Sequence, residues 1–582
     1  MTAATALTSP SDHSLAARLD AVRALMRGAQ LDALWVRSTD AHLNEYVPLE
    51  ESTRAWLTGF TGSVGEALVT HDGAWVFVDG RYWLQADSEV QAFNVVKVPL
   101  GTAPEQAALE QLQSVLTKRP KLRVGYEPDR FSQFELERVQ KATAGAVWIA
   151  TDPSLVERAR GPIARESKPL RALDEGELDL GSQQKLTVVG EALAKESLAG
   201  LFVQTLDEVA YLTNLRGSDL PFQVTFRSVA YLSGGRLLVG VAQEALSDAV
   251  KAARPAIDFV DLAAFDKALA LRVKKARVGY DPKLTSARWV QRLKDSGAEV
   301  VALPSPVGPL KAKKGKKELK AMTAAFARAD KVIEGAIAWL CEEVSKRKVV
   351  SEADFAAEVR ERFFASGATG LSFDIISAAG RNGAIVHYSK PNPKRIIKQG
   401  ELVLLDTGAY YDEGYATDLT RTFLVGPKSQ KASAEQKRYY TLTLKAAIAG
   451  MRARIPVGTR GDQLDAIVRA PLWAQGLNYN HGTGHGVGIN VHEFPPRIGT
   501  TGTAALEEGM VFSIEPGVYL ERFGGIRIEN LCTLERITGV PGYLQVRPLT
   551  FSPLDQRLIE RKLLNEEERA WLAQYLRGRA PK

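Results

Sequence analysis

Apolar and polar positions follow two kinds of pattern along this 582-residue chain. In the first half, amphipathic helical patterns alternate with short apolar runs, which is typical of α/β structure. From Lys316 the spacing changes to that of one long helix, and a second helix is predicted from Ser351, capped by Asp354, to Gly367. Strand-like runs separated by turn residues follow, and the chain returns to helix after about Pro548.

The first half also contains an internal duplication. RVGYEPDRFS begins at Arg123 and RVGYDPKLTS begins at Arg277, while WLTGFTGS from Trp56 matches YLTNLRGS from Tyr211 at nearly the same offset. Two matches at one offset indicate two copies of one domain. We therefore predict an α/β (α+β) chain with domains at 1–160 and 161–310. A third domain is expected at 311–582, with a helical extension from about residue 548.

The amino-acid composition limits the cellular location and the binding partners that we expect. The 75 basic and 68 acidic residues are mixed along the chain, so its net charge of +7 does not favour nucleic-acid binding. The one dense basic run, 311–317, is expected to be a solvated linker and the start of a helix. Two cysteines, Cys341 and Cys532, are too few for a disulfide framework or a thiolate metal site. Neither an export signal nor a membrane span is evident, so we expect a cytoplasmic protein with no membrane partner.

Candidate chemistry is concentrated in the last third of the chain. Four carboxylates and one imidazole interrupt apolar, glycine-rich segments there: Asp406, Asp418, His485, Glu515 and Glu529. If they converge, mutual repulsion and lost solvation require cations. Two divalent ions balance four carboxylates and one hydroxide to within about one charge, which describes a hydrolytic site. Carboxylates with one imidazole and no thiolate suit Mn²⁺ or Co²⁺ and also admit Zn²⁺.

The surroundings of these residues allow structural alternatives. A single Asp at a strand end is usually a turn residue, but Asp418 lies inside a Thr-rich strand pattern, where propensity disfavours it. A hairpin turning near 412–414 would bring Asp406 across from Asp418. Arg527 and Glu529 would share one face of a strand, where Arg527 offsets negative charge without ligating a metal. A buried Glu–Arg ion pair is the alternative for those two residues.

Histidines form a second candidate group. His481, His485 and His492 lie in HGTGHGVGINVHEFP, and His387 follows an apolar run upstream. The segment is not a phosphate loop, because no Lys-Ser/Thr follows, and FPP after Glu493 excludes the helical zinc motif HExxH. Taken alone, His387 would be read as a structural residue.

In this order, these segments resemble the M24 "pita-bread" metallopeptidases, and among them the three-domain aminopeptidase P enzymes. DAHLNEYVPLEESTRAWLTGFTGSVG and VDGRYWLQA in the first copy, and TLDEVAYLTNLRGSDLPF in the second, extend the resemblance over nearly the whole chain. It implies two tandem creatinase-like domains before a pita-bread catalytic domain. It also implies manganese as the bound metal and peptide substrates with proline at position 2. A homodimer formed through the catalytic half is a further implication.

The resemblance further implies a role for each candidate. Asp406 would chelate one metal, Asp418 and Glu529 would bridge both metals, and His485 and Glu515 would complete the ligand shell of the second metal. Glu515 would also carry a proton, while His387, His481 and His492 would hold the substrate, with His492 at the oxyanion. The family has one residue fewer between Asp406 and Asp418, so we expect the 412–414 turn to absorb the extra one. The loop from His485 to His492 is also shorter than in many relatives.

Two other functions remain open at this stage. A prolidase would use much the same ligands on Xaa-Pro dipeptides, although such enzymes resemble chains with a single N-terminal domain. A metal-free relative, either creatinase-like or a non-catalytic binding protein, would have lost ligands that are all present here.

Overall fold

The computed structural model describes residues 14–99 and 102–578. Within them, the first half contains two six-stranded sheets of the same topology. In spatial order the first sheet contains Asn94–Lys97, Ala74–Val78, Glu66–Thr70, Ala33–Val36, Arg123–Tyr126 and Val147–Ala150. The second contains Ile257–Val260, Arg236–Val241, Ser228–Ser233, Gly200–Val203, Arg277–Tyr280 and Glu299–Ala302. Strand directions also correspond, with two antiparallel and three parallel pairings in each sheet.

The repeated RVGY strands show why the same sequence recurs. A Cβ added at Gly125 would lie 2.6 Å from Leu31 Cδ1, and one at Gly279 would lie 2.8 Å from Leu303 Cδ2. Each glycine therefore lets an apolar side chain pack directly onto the strand. The predicted duplication and the α/β class are confirmed by this shared arrangement.

Helices cover these two sheets. Those around the first sheet are Leu15–Gly28, Thr53–Thr58, Trp83–Glu89, Pro104–Lys118, Gln133–Ala142 and Leu155–Arg160. Those around the second are Ser182–Lys195, Leu206–Thr213, Asp248–Ala252, Phe265–Val273 and Ala287–Asp295. No helix in the described part of the chain is long and apolar enough to cross a membrane.

The second half begins with the predicted pair of helices. After Val307–Ala312 come Lys316–Ser345 and Glu352–Ala365. Ser351 Oγ accepts a hydrogen bond from the backbone N–H of Asp354, whose carboxylate accepts one from the backbone N–H of Ser351. This reciprocal cap starts the helix, and Gly367 at φ +88° ends its last turn.

Two larger sheets then follow in this half, besides two-stranded pairings. A three-stranded sheet contains Ile376–Ala379, Leu402–Thr407 and Leu419–Leu424. A six-stranded sheet contains, in spatial order, Arg454–Pro456, Tyr543–Pro548, Asn530–Arg536, Val511–Ile514, Gly484–Gly486 and Glu493–Ile498. The hairpin Gly517–Leu520 with Gly524–Arg527 connects the strands Val511–Ile514 and Asn530–Arg536 of the larger sheet. Helices Ala434–Met451, Gly461–Trp473 and Glu566–Tyr575 pack with these sheets around one large apolar cluster.

Candidate functional site

Three of the predicted ligands form one tight group. Asp418, His485 and Glu529 each offer an atom within 4.8 Å of the others. They come from three places: just before Leu419–Leu424, within Gly484–Gly486, and between Gly524–Arg527 and Asn530–Arg536. Thr420 joins two of these segments, because its hydroxyl donates to Glu529 Oε2 at 2.7 Å and its carbonyl accepts from the Glu529 N–H. Pairing between the two sheets therefore brings residues distant in sequence together.

The other two predicted ligands border this group. Asp406 lies opposite Thr420 in the three-stranded sheet, and its Oδ2 accepts a hydrogen bond from Arg527 Nη2. Glu515 follows Val511–Ile514, and its Oε1 lies 3.5 Å from His485 Nε2. The structure thus places all five predicted side chains around one buried space.

Their electrostatics favour cations. Burial and the neighbouring carboxylates raise the pKa of Asp418 and of Glu529 well above its usual range, and burial raises the pKa of Glu515 to about 7. Asp406 Oδ1 and Glu529 Oε1 are buried without a hydrogen-bond partner among the described residues. Buried carboxylate oxygens left unpaired are costly, and positive ions would satisfy them.

The imidazole of His485 completes a suitable donor set. Its Nδ1 faces the carbonyl oxygen of Gly486 at 3.1 Å, and its Nε2 lies 3.5 Å from Asp418 Oδ2. Burial lowers the pKa of His485 to about 3, so the ring is neutral at pH 7. With Nδ1–H donating to the carbonyl, Nε2 keeps its lone pair directed at the carboxylates, which is the orientation of a metal ligand. The residues present therefore fit a site for two divalent cations.

The hairpin accommodates the eleven residues between Asp406 and Asp418 without turning Asp418 away from the site. Gly414 in its turn adopts φ +71°, and Tyr410 and Ala416 form an isolated bridge. The register differs from our expectation, because Asp406 lies opposite Thr420 and not opposite Asp418. Strand pleating nevertheless keeps residues two apart on one face, so Asp418 stays beside the site.

The sequence pattern predicted that Arg527 and Glu529 share one face of a strand, but in the structure they do not. The strand Gly524–Arg527 ends at the arginine, and Glu529 lies before the next strand starts at Asn530. Within the described residues, Arg527 forms its ion pair with Asp406. The alternative of a simple buried Glu529–Arg527 pair is therefore wrong.

Two of the predicted histidines contact side chains of the first domain. His492 Nδ1 lies 2.7 Å from Glu45 Oε2, and His387 Nδ1 lies 3.0 Å from the Tyr82 hydroxyl. His492 also packs edge-on against His485, with ring centroids 4.2 Å apart. Sequence reasoning missed Glu45 and Tyr82, although both lie in segments that carry the family resemblance, DAHLNEY and VDGRYWLQA.

Both ring nitrogens of His481 have partners within the protein. Its Nδ1 lies 2.7 Å from the carbonyl oxygen of Gly482, and its Nε2 lies 2.9 Å from the Tyr519 hydroxyl. Arg527 Nη1 in turn donates to the same hydroxyl at 2.8 Å. His481 is therefore linked through Tyr519 and Arg527 to Asp406.

The basic run 311–317 is not a solvated linker throughout. Lys311 and Lys314 are buried, and their ammonium groups lie 3.1 Å and 3.0 Å from the carboxylate of Glu493. Glu493 Oε1 also accepts from the backbone N–H of Ile489 at 2.7 Å. The expectation of solvation was wrong for these two lysines, because they pair with the carboxylate of Glu493, which starts the strand directly after His492.

Family models match almost the entire chain. The Creatinase/Prolidase N-terminal domain matches residues 18–161 and, in a second form, 162–318. Metallopeptidase family M24 matches residues 320–536, and the C-terminal region of peptidase M24 matches residues 542–577.

Full-length relatives show the same organisation. A protein of Sordaria macrospora called "Probable Xaa-Pro aminopeptidase P" is 34% identical, covering 95% of this chain and 94% of its own. One of Neurospora crassa with the same description is 35% identical, covering 95% and 84%. The X-prolyl aminopeptidase of Caenorhabditis elegans, described as a cytosolic enzyme with a di-nuclear active site, superposes with a TM-score of 0.88. That match has 27% identity and covers 97% of this chain and 95% of that one.

Proposed function

Because the chain belongs to the M24 metallopeptidase family, we propose that it is a metal-dependent Xaa-Pro aminopeptidase. It removes the N-terminal amino acid from peptides whose second residue is proline. The observation that carries this function is the convergence of Asp406, Asp418, His485, Glu515 and Glu529 around one buried space. The shared description of its full-length relatives supports the substrate class.

The five converging residues would hold two divalent cations. Asp418 and Glu529 are suited to contact both ions, since each carries two oxygens and both are buried in the tight group with His485. When bound, such ions polarise the scissile carbonyl and lower the pKa of water. Manganese suits this set of oxygen donors with one imidazole, and Co²⁺ or Zn²⁺ is the alternative.

Glu515 is the residue that moves a proton in this proposal. It lies at the edge of the ligand group, half-buried, with one oxygen near His485 Nε2 and the Ser513 hydroxyl. A carboxylate in this position takes the proton released on attack and delivers it to the proline nitrogen as the bond breaks. That delivery is required because the amide nitrogen must gain a proton to leave as a neutral amine.

His492 is the proposed donor to the developing oxyanion. Burial alone would raise the pKa of Glu45, but the adjacent His492 ring and its hydrogen bond lower it overall, so Glu45 is ionised. An ionised Glu45 accepts the Nδ1 proton of His492 and fixes the orientation of the ring. With a second proton on Nε2, His492 would donate to the oxyanion. His387 and His481 hold the substrate. His481 does so by fixing the position of the Tyr519 hydroxyl.

Three finer assignments belong to the same proposal. We place domain boundaries near residues 160 and 310, with the catalytic domain at 311–582. The protein acts as a cytoplasmic homodimer formed through the catalytic half, without nucleic-acid or membrane partners. The half-exposed Trp473 and the exposed Ile467 on the helix Gly461–Trp473 support an apolar contact surface there.

A substrate panel tests this function. Purified protein with Mn²⁺ should cleave Xaa-Pro-Yaa and longer Xaa-Pro peptides, release the first amino acid, and leave matched Xaa-Ala-Yaa peptides largely intact. Mass spectrometry of the products gives the cleaved bond. Activity confined to Xaa-Pro dipeptides would show a prolidase instead. No turnover of any proline peptide with Mn²⁺, Co²⁺ or Zn²⁺ would contradict the proposal.

A further inference from the structure

Tyr82 joins the first domain to the catalytic half beside the candidate site. Its side chain is only 3% exposed, and its hydroxyl lies 3.0 Å from His387 Nδ1 across the domain boundary. The two rings meet edge to face, with centroids 5.4 Å apart and planes at 88°. The hydroxyl and the ring of Tyr82 thus both contact His387, which the proposed function assigns to substrate binding.

Packing around Tyr82 holds it in one position. Its backbone N–H donates to the Asp79 carbonyl in a turn, and its ring meets Phe60 edge to face at 5.6 Å. A Cβ added at Gly62 would lie 2.8 Å from Tyr82 Cδ1, so the loop passes close over the ring only because this position is glycine. A side chain so confined can fix the orientation of the group it contacts.

The Tyr82 hydroxyl has two hydrogen-bond partners among the described residues. Ser63 Oγ lies 2.8 Å from it on one side and His387 Nδ1 on the other. A tyrosine hydroxyl has a single proton, so donating to His387 leaves its oxygen free to accept from Ser63. The three groups then form one directed chain of hydrogen bonds from Ser63 through Tyr82 to His387.

We propose that Tyr82 is a positioning residue that donates to Nδ1 of His387 and thereby fixes the tautomer whose Nε2–H binds a carbonyl oxygen of the peptide. The inference rests on the proposed function, in which His387 contacts the substrate. A neutral imidazole has one donor and one acceptor nitrogen, so occupying Nδ1 with a donated hydrogen makes Nε2 the donor.

The chemistry of the substrate calls for that donor. The bond before proline is a tertiary amide without an N–H, so the peptide backbone around it offers mainly carbonyl acceptors. An imidazole presenting a bare Nε2 would face those oxygens lone pair to lone pair. Burial, with Arg81 and Arg527 nearby, lowers the pKa of His387 well below its usual value, which keeps the ring in its neutral form.

The kinetic test compares Tyr82→Phe in two backgrounds. In the wild-type chain the substitution should lower kcat/KM for Xaa-Pro-Yaa about five- to tenfold, as expected for one lost hydrogen bond. In a His387→Gln background it should change kcat/KM less than about twofold, because the group it positions is gone. Equal losses in both backgrounds, or no loss in the wild-type chain, would overturn the proposal.

Tyr126→Phe is the matched control. Tyr126 is a buried tyrosine of the same domain, and its hydroxyl makes no hydrogen bond within the described part of the chain. Its substitution should leave kcat/KM unchanged, whereas a general effect of removing a tyrosine hydroxyl from this domain would lower it.

A second measurement reads the tautomer directly. In ¹⁵N-histidine-labelled protein, the signals absent from His387→Gln identify His387, and its Nδ1 should show the shift of an unprotonated nitrogen. Tyr82→Phe should move these signals, and a protonated Nδ1 in the wild-type protein would refute the proposal. Failure of the proposed function would appear separately, as wild-type protein that does not cleave Xaa-Pro-Yaa.

Discussion

At the scale of single residues, the site depends on carboxylates that the protein itself leaves partly unsatisfied. Arg527 pairs with one oxygen of Asp406, and Thr420 pairs with one oxygen of Glu529, yet the second oxygen of each has no partner in the described chain. Folding therefore prepares a negatively charged space at a cost in stability. Bound cations would repay that cost, since ligands that bind the folded state stabilise it.

Replacing Glu515 with Gln tests its proposed role as proton carrier. The substitution preserves shape but removes the base, so kcat should fall by about 10²–10⁴ while the folded state persists. Steady-state kinetics on Xaa-Pro-Yaa, circular dichroism and metal content should be measured together, since Glu515 is also a proposed ligand.

Glu521→Gln provides the control for Glu515. Glu521 is exposed in the turn of the hairpin that follows, and its loss of charge should leave kcat unchanged. A fall in kcat below tenfold for Glu515→Gln at full metal content would remove Glu515 from the proton-transfer role.

At the scale of elements, the C-terminal extension supports the strands that carry the ligands. Arg421 is buried, and its guanidinium donates to the backbone carbonyls of Thr420 and Glu529. The Tyr575 hydroxyl on the last described helix accepts from Arg421 Nη2 at 2.8 Å and donates to the Ser552 carbonyl at 3.1 Å. The extension after Pro548 is thereby tied to both sides of the metal site.

Tyr575→Phe should destabilise the protein through this network. The change leaves Arg421 without one acceptor and also removes one of the three acceptors of Asn530 Nδ2, which lies 2.9 Å from the hydroxyl. We expect the free energy of unfolding to fall by about 1–3 kcal/mol, measured by urea denaturation. Tyr543→Phe, on an exposed side chain, should change it by less than about 0.5 kcal/mol. Equal effects from the two substitutions would show that the network contributes nothing specific.

Local sequence patterns predicted the helices and strands better than the tertiary contacts that these elements make. Helical spacing and capping residues located Glu352–Ala365, and repeated segments revealed the duplicated sheets. The pattern placed Glu529 inside a strand, because alternation cannot show where hydrogen-bonded pairing stops. It also assigned Lys311 and Lys314 to solvent, since charge predicts exposure unless the carboxylate that pairs with it is known.

At the scale of the whole molecule, the first domain completes the surroundings of the site. Glu45 and Tyr82 reach His492 and His387 from a domain more than 300 residues earlier in sequence. Periodicity reports that a residue is buried but not which distant surface covers it, so these contacts were beyond sequence reasoning.

Metal removal tests the central claim most directly. The protein should be stripped with a chelator, assayed on Xaa-Pro-Yaa, and titrated with Mn²⁺ while bound metal is counted by mass spectrometry. We predict no turnover after stripping, two ions bound per chain at saturation, and activity that returns as the ions bind. Full turnover by the stripped protein would contradict the account.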